Sequence, residues 1–423
     1  MSVPVGFAGG HRSCASSPAM QDDEAQLSFQ RFMAVRFEMS VLERCYKGVT
    51  QEHVLFALFF LAIFYGNIYA RVTLPLAIYI LPMLALRLKI RTIKWQAVMP
   101  ALACLPVVFQ FFGAYPPIKN DISVYFCFFY SAVSILVLSR CRVEELLVQN
   151  CILFGCILIA FIMLANAALG YREQLDFYTL KNLVATPLGS SNYLAVFLLV
   201  GTLVALYARQ YLCAIALVGA FMFTFSRTGY AMLMLAVAIW LLDTRTTLLT
   251  RYPRFFAFAF ITCSLIVFLT AFFLKDGLPE SLSIRAGLWH AAVYHIADHP
   301  LIGTPRSEYF YIFNGLAWDP HNSILNMLLL LGVGGTAVYL FYLYCVMRLF
   351  SQLASGSTFW RSVFIASAVT LLWSLFEVVL LTPAYDTLLA SLFALAIARS
   401  SGAEWAASPA VSESTSVGLT VAR

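Results

Sequence analysis

Charged residues are scarce in this chain, and their scarcity excludes an ordinary soluble fold. Of the 423 residues, 11% are charged and 61% are hydrophobic, and the mean hydropathy is +0.82. A soluble domain carries about 25% charged residues, so the composition predicts an integral membrane protein. The formal net charge is +6. The basic residues form short clusters between apolar runs, which is typical of membrane topology and does not indicate a nucleic-acid-binding surface.

Three further patterns are missing. The ten cysteines form no CxxC pair and no cysteine–histidine ligand spacing, so we expect neither a disulfide framework nor a zinc site. Residues 1–50 contain no apolar run typical of a cleavable signal peptide, so the first span is expected to direct insertion. No DxD-type carboxylate pair stands in a predicted outward connection, and we therefore expect no metal and no other cofactor.

Long apolar runs fill most of the chain between residues 51 and 399. A membrane helix requires about 20 apolar residues. The runs predict an all-α polytopic protein with about twelve transmembrane helices, near 53–70, 72–87, 95–112, 122–139, 150–170, 189–207, 211–226, 228–243, 255–274, 322–347, 359–381 and 384–398. Residues 1–50 form a separate N-terminal segment, and the composition of residues 400–423 predicts a disordered tail.

Basic residues mark every second connection between these runs, from Arg31 in the N-terminal segment to Arg399 after the last run. The positive-inside rule therefore places both termini in the cytoplasm. The remaining connections are expected to face outward, at 113–121, 171–188, the SRTG turn, 275–320 and 382–384.

The longest outward connection, residues 275–320, contains the pattern of an amphipathic helix. Apolar residues recur at spacings of three and four, namely Ile284, Leu288, Trp289, Ala292, Val293 and Ile296. Ser283 is a suitable cap, and Pro300 ends the pattern. We expect this helix to lie in the membrane interface, with Trp289 at the depth of the lipid headgroups.

Two arginines fall at the outward edge. Arg227 interrupts the apolar stretch FMFTFSRTGY, and Arg285 lies in the first turn of the amphipathic helix. A guanidinium group binds phosphate oxygens bidentately and stays charged, so the pair suits a lipid that carries a diphosphate. The alternative for Arg227 is a simple anchor at the membrane interface.

A polar cluster, Asp319-Pro320-His321-Asn322, precedes the tenth apolar run. The imidazole of His321 can accept a proton near neutral pH, and the helix N-terminus behind it would favour an anion. The alternative is that His321 only caps the helix. Glu377, in WSLFEVVLLTP, is a carboxylate within a predicted span. It could pair with Arg227 or Arg285, orient His321, or form a structural ion pair. Asp319 has the same two interpretations, functional and structural.

Three segments resemble, in the same order, those of the O-antigen ligase and O-antigen polymerase superfamily. FTFSRTGY is similar to the family's SR helix start. RAGLWHAAVYHIADHPLIGTP resembles its R-x-x-x-W segment with the following proline–glycine element, and DPHNSILNMLLLLGVGG resembles its HN segment. The resemblance covers about residues 189 to 381. The stretch between Arg285 and His321 is short for the family, and Thr304-Pro305 follows Gly303 where a second glycine is common; both departures bear on the acceptor.

This resemblance implies an inverting, metal-independent glycosyltransferase at the periplasmic face of the bacterial inner membrane. The donor would be a glycan linked to undecaprenyl diphosphate, and the acceptor a glycan or lipid A–core. The resemblance assigns Arg227 and Arg285 to the diphosphate and His321 to activating or orienting the acceptor hydroxyl. The further candidates for substrate binding are Asn322, Trp289, Glu377 and Asp319.

Two other functions remain open. A repeat-unit polymerase of the same superfamily for O-antigen or exopolysaccharide shares all of these motifs, and no feature of the sequence separates it from a ligase. A polytopic transporter of lipid-linked sugars belongs to a different class. Transporters place ionisable residues near the midplane of the bilayer, whereas here they gather at the outer edge, which favours an enzyme.

Overall fold

A computed structural model describes most of the predicted helical region. The described residues are 51–65, 85, 95–103, 105, 122–141, 143–170, 184, 191–246, 262, 266, 269, 273, 280–304, 311–313, 316–318 and 320–400. The chain divides after Gln51 into two units, and apart from Gln51 all described residues belong to the second. The predictions for residues 1–50, the spans 72–87 and 255–274, the tail from 401 and Asp319 fall outside these ranges, except for isolated residues.

The described part of the chain contains eleven helices and one β-hairpin. The helices are α1 (Gln51–Tyr65), α2 (Trp95–Ala103), α3 (Ile122–Leu138), α4 (Glu145–Gly170), α5 (Ser191–Tyr207), α6 (Tyr211–Met222), α7 (Arg227–Thr246), α8 (Glu280–Asp298), α9 (Ser323–Ala354), α10 (Thr358–Trp373) and α11 (Pro383–Ser400). Strands β1 (Tyr311–Phe313) and β2 (Leu316–Trp318) pair antiparallel between α8 and α9. The prediction of a helical protein is confirmed for these residues.

Two of the described helices, α4 and α9, are long and apolar enough to cross a membrane. Helix α4 has 26 residues, which at about 1.5 Å per residue exceeds the hydrocarbon thickness of about 30 Å. Five further apolar stretches have 10–17 residues each, at Gln51–Phe64, Cys127–Leu138, Asn192–Tyr207, Tyr211–Met222 and Thr358–Trp373. The count of twelve spans stays a prediction.

Two helices meet near the SRTG stretch, as predicted, but residues 223–226 connect them, and Arg227, Thr228 and Gly229 already belong to the second helix. Helix α6 ends at Met222 and α7 begins at Arg227. Between them, Phe225 has a φ of 51°, in the left-handed region that non-glycine residues seldom adopt. This tight connection allows two consecutive apolar helices with only four residues between them.

The prediction of one helix from 359 to 381 is wrong, because α10 ends at Trp373 and residues 374–382 form a turn followed by bends and irregular backbone. Ser323, at the start of α9, binds this connection through its backbone and its side chain. Its N–H donates to the Ser374 carbonyl at 2.6 Å, and its Oγ accepts from the N–H groups of Val379 and Leu380. These tertiary hydrogen bonds satisfy backbone groups that a continued helix would have paired internally.

Helix α9 is broken at Gly332, where φ is 61° and ψ is −174°. In an unbroken helix the Val333 N–H would donate to the Leu329 carbonyl. Here Val333 donates instead to the Pro300 carbonyl at 2.8 Å, and the Thr304 N–H donates to the Leu329 carbonyl at 2.6 Å. The turn that follows α8 therefore enters the break and satisfies both groups.

Close approach requires glycine on both sides of this break. Gly303, in the entering turn, has a φ of +78°, and a Cβ there would lie 2.5 Å from the Leu329 carbonyl oxygen. A Cβ on Gly332 would overlap the carbonyl of Leu301. Only glycine combines a left-handed backbone with this contact, which gives a structural reason for the glycines of the two C-terminal motifs.

At the start of α10 a polar cluster joins three helices. Glu145 of α4 accepts hydrogen bonds from Ser357 Oγ at 2.7 Å and from Trp360 Nε1 at 3.0 Å, and it forms an ion pair with Arg399 of α11. This cluster lies at the start of α10. Glu377, a carboxylate singled out from the sequence, follows the opposite end of the same helix, after Trp373.

Candidate functional site

Three of the residues selected from the sequence meet at the carboxylate of Glu377. Arg285 Nη2 donates to Glu377 Oε1 at 2.6 Å, and Arg285 Nη1 donates to the Phe376 carbonyl at 2.8 Å. His321 Nδ1 lies 3.1 Å from Glu377 Oε2. The Glu377 side chain is only 7% exposed, whereas those of Arg285 and His321 are 22% and 27% exposed. A buried carboxylate therefore holds two side chains that a ligand can reach.

Helix α8 supplies Arg285 and, one turn later, Trp289. Leu288, Trp289 and Ala292 are buried as the apolar pattern predicts, but Val293 is 38% exposed. Trp289 has no exposed surface, and its Nε1 donates to the Pro320 carbonyl at 2.8 Å. The predictions that Trp289 lies among lipid headgroups or binds substrate are wrong, because the ring is enclosed by protein.

Asn322 is the N-cap of α9. Its Oδ1 accepts from the N–H groups of Ile324 at 2.9 Å and Leu325 at 3.0 Å, and its Nδ2 donates to the Leu375 carbonyl at 2.9 Å. Asn322 is 2% exposed, so the prediction that it binds substrate is wrong. The alternative in which His321 caps the helix is wrong as well, because the neighbouring asparagine does so.

The capping bonds also change what the start of α9 can bind. Asn322 occupies two of the first N–H groups of the helix, and the Ser323 N–H donates to Ser374. These donors are therefore not available to an anion, contrary to the expectation that this helix N-terminus assists anion binding. An anion in this site would therefore not bind through the first N–H groups of α9.

Ser323 also fixes the backbone of Glu377. Its Oγ donates to the Glu377 carbonyl at 3.0 Å, while the Glu377 N–H donates to the Trp373 carbonyl at 3.0 Å. Sequence reasoning missed Ser323, since a serine after the HN pair has no distinguishing feature. Its importance follows from the tertiary contact between the start of α9 and the 374–382 connection.

Opposing effects set the pKa of Glu377, which lies in the connection between α10 and α11. Burial acts to raise this pKa, but the hydrogen bond with His321 and the positive charge of Arg285 outweigh burial and hold the pKa below its ordinary value. Glu377 is therefore ionised at neutral pH.

An ionised Glu377 fixes the tautomer of a neutral His321. A carboxylate only accepts hydrogen bonds, so the Nδ1 of His321 must carry the proton that lies between them. The lone pair of the imidazole is then on Nε2. This arrangement leaves Nε2 as the atom that can take a proton from a bound hydroxyl group.

Arg285 retains donors for a ligand. A guanidinium group has five N–H groups. Two of them donate to Phe376 and Glu377, which leaves three. Because the side chain is partly exposed, these remaining groups can bind an anion such as phosphate.

Arg227 is exposed at the first position of α7. The preceding residue, Ser226, caps this helix by accepting from the Gly229 N–H at 3.1 Å, and its Oγ donates to Asn192 Oδ1 of α5 at 2.8 Å. A Cβ on Gly229 would lie 3.0 Å from the ring of Trp373. The start of α7 thus packs on the end of α10, four residues before Glu377, so Arg227 belongs to the same end of the helices as the cluster.

Among the described residues, no group of three or more His, Cys, Asp or Glu side chains is arranged to hold a metal ion. Comparison with known proteins yields neither a matching family model nor a matching curated protein. The geometry of Arg285, His321 and Glu377 is therefore the basis of the functional argument.

Proposed function

We propose that the protein is a membrane glycosyltransferase of the O-antigen ligase type. It would transfer a glycan from undecaprenyl diphosphate to an acceptor hydroxyl at the periplasmic face of the bacterial inner membrane. The observation that carries this proposal is the cluster of Arg285, Glu377 and His321, which combines donors for an anion with an imidazole whose Nε2 can act as a base. The resemblance of three sequence segments to the superfamily supports it.

The cluster suggests an order of bond changes. The acceptor hydroxyl oxygen attacks the anomeric carbon of the donor sugar while the bond from that carbon to the diphosphate oxygen breaks. The hydroxyl proton passes to His321 Nε2, and undecaprenyl diphosphate leaves as an anion. Attack from the face opposite the leaving group inverts the anomeric configuration. Glu377 keeps the imidazole in the required tautomer and orientation.

The charges of the site indicate that both arginines are needed to bind a diphosphate. Glu377 offsets much of the positive charge of Arg285, because the two are in direct contact. A diphosphate therefore requires a second cation, and Arg227 at the same end of the helices would supply it. With its charge stabilised by two guanidinium groups, the diphosphate leaves without a general acid.

The length of α10 favours a lipid-linked donor. This helix has 16 residues and spans about 24 Å, which is less than the hydrocarbon thickness of about 30 Å. With the Glu145 cluster at the inner surface, the end of α10 and Glu377 would lie slightly below the outer surface. A headgroup attached to a membrane lipid can reach such a recessed site more readily than a soluble sugar nucleotide.

A transporter remains the alternative from another class, and the break in α9 is the observation that favours it, since transporters use discontinuous helices to bind ions and substrates. At this break, however, the Leu329 carbonyl and the Val333 N–H are both paired with the turn after α8. The turn after α8 therefore fills the break and pairs both groups within the protein, which favours a structural role for the break and an enzyme over a transporter.

The test is complementation of a deletion strain with the wild-type protein or with His321→Asn. Asparagine tolerates a left-handed backbone and can still donate to Glu377, but it cannot act as a base. Full-length glycan that accumulates on undecaprenyl diphosphate and is missing from lipid A–core would identify a ligase, whereas accumulated single repeat units would identify a polymerase. Normal surface glycan in the His321→Asn strain would contradict the proposed role of the histidine. Lipid-linked glycan retained on the cytoplasmic face would instead identify a transporter.

A further inference from the structure

His321 adopts a backbone conformation that the surrounding protein has to enforce. Its φ is 43°, in the left-handed region that is unfavourable for residues with a Cβ. The angle φ measures rotation of a residue relative to the preceding peptide plane. For His321, this preceding peptide plane contains the Pro320 carbonyl and the His321 nitrogen. A hydrogen bond that fixes the Pro320 carbonyl therefore also limits φ of His321.

Trp289 holds this carbonyl. Its Nε1 donates to the Pro320 oxygen at 2.8 Å, and the ring is completely buried. Without this bond the peptide between Pro320 and His321 can rotate so that φ returns to negative values. The imidazole would then leave Glu377, because rotation about φ changes the direction in which the side chain projects.

Helix α8 is itself fixed at two further places. Arg285, one turn before Trp289, binds Glu377 and the Phe376 carbonyl. Beyond the helix, the Pro300 carbonyl accepts from Val333 and the Thr304 N–H donates to Leu329, at the break in α9. Trp289 thus belongs to a helix that hydrogen bonds anchor both before and after it.

We propose that Trp289 is a positioning residue, which places the His321 imidazole on Glu377 through its hydrogen bond to the Pro320 carbonyl. The effect of this placement on catalysis rests on the proposed function, whereas the placement itself can be measured without it.

The chain offers a matched control for removal of the indole N–H. Trp373 is also completely buried, and its Nε1 has no hydrogen-bond partner. Trp289→Phe and Trp373→Phe therefore make similar changes in volume, but only the first removes a hydrogen bond. Trp289→benzothienylalanine is a second variant, which replaces the N–H by sulfur and preserves the two-ring shape should phenylalanine impair folding.

The primary measurement is the NMR resonance of the His321 Nδ1 proton in detergent-solubilised, histidine-labelled protein, assigned by its absence in His321→Asn. We expect this resonance in the wild type and in Trp373→Phe, and its loss in the folded Trp289 variants. In the transfer assay, the Trp289 variants should have a kcat lowered about tenfold, the order expected for one lost hydrogen bond, with an unchanged KM for the donor.

The two proposals fail in different ways. A Nδ1 resonance that persists in the folded Trp289 variants would overturn the positioning role, as would an undiminished kcat in an active enzyme. Loss of the resonance in a protein whose wild type transfers no glycan would support the placement by Trp289 and overturn the proposed function.

Discussion

His321 Nδ1 lies 3.1 Å from Glu377 Oε2, although the two residues are 56 positions apart in the sequence. Arg285 occupies the other oxygen of the same carboxylate. Glu377 therefore forms an ion pair with Arg285 and also orients His321. From the sequence alone, these two roles were alternative interpretations of the same residue. Removal of its charge should affect both neighbours.

Glu377→Gln should lower transfer activity by roughly 10- to 100-fold, which corresponds to the loss of hydrogen bonds to a charged group. The amide has nearly the same size, but it presents only one accepting oxygen to Arg285 and His321. Initial rates with a lipid-linked donor, measured at equal protein amounts, test this expectation.

Asp386→Asn is the control for a buried carboxyl group. Asp386 is 3% exposed, and its Oδ1 accepts from the Tyr339 hydroxyl at 3.0 Å. We expect this variant to retain activity. Equal losses in both variants would mean that Glu377 contributes only to general stability.

Arg285→Lys and Arg227→Lys should fail in different ways. A lysine cannot reproduce the planar fork by which Arg285 binds two acceptors, so Arg285→Lys should lower kcat and the temperature of unfolding. Arg227 is exposed, so Arg227→Lys should leave the free energy of unfolding within about 0.5 kcal/mol but raise the KM for the donor. Steady-state kinetics and thermal unfolding in detergent separate these effects.

Arg245→Lys is the matching control, since Arg245 is exposed in the last turn of α7, far along the helix from Arg227. It should behave as the wild type. Full activity in both Arg285→Lys and Arg227→Lys would refute binding of the diphosphate by these arginines.

Gly332→Ala should destabilise the protein. The left-handed backbone alone costs a residue with a Cβ about 1–2 kcal/mol, and the added methyl group would also overlap the Leu301 carbonyl. We expect a clear fall in the temperature of unfolding. Activity should fall too, because the turn that enters this break anchors α8 and with it Arg285.

Gly334→Ala provides the comparison two residues away. Outside its own helix, the atom nearest to a Cβ at this position would be the Leu301 carbonyl oxygen, at 3.9 Å, and alanine is favoured over glycine in a helix by about 0.5–1 kcal/mol. This variant should be at least as stable as the wild type. Similar destabilisation by both substitutions would show that the break in α9 does not depend on Gly332.

Treatment with EDTA should leave transfer activity unchanged. The proposed reaction stabilises the leaving diphosphate with arginine side chains, and the sequence has no carboxylate pair in a predicted outward connection. A metal-dependent glycosyltransferase assayed in the same membranes shows that chelation was effective. Activity that EDTA abolishes and Mg²⁺ or Mn²⁺ restores would contradict this mechanism.

The spacing of residues close together in the sequence was sufficient to predict several helices. The spacing of apolar residues predicted α8, which the structure places at Glu280–Asp298, and the SRTG stretch marked the start of α7. Chemistry of single side chains selected Arg285, His321 and Glu377. The roles of Trp289 and Asn322 were mistaken, since a tryptophan on an amphipathic helix and an asparagine beside a histidine look the same whether they bind protein or ligand.

The sequence by itself determined that the chain is apolar and helical and which ionisable residues interrupt its apolar runs, because these properties depend on residue type and near neighbours. Only the tertiary structure decided where α10 ends, that Asn322 and not His321 caps α9, and that one carboxylate joins Arg285 to His321. These features depend on hydrogen bonds between segments distant in the chain. Ser323 is the clearest example. Its hydrogen bonds to Ser374, Val379 and Leu380 replace the helical hydrogen bonds that the local sequence favours after Trp373.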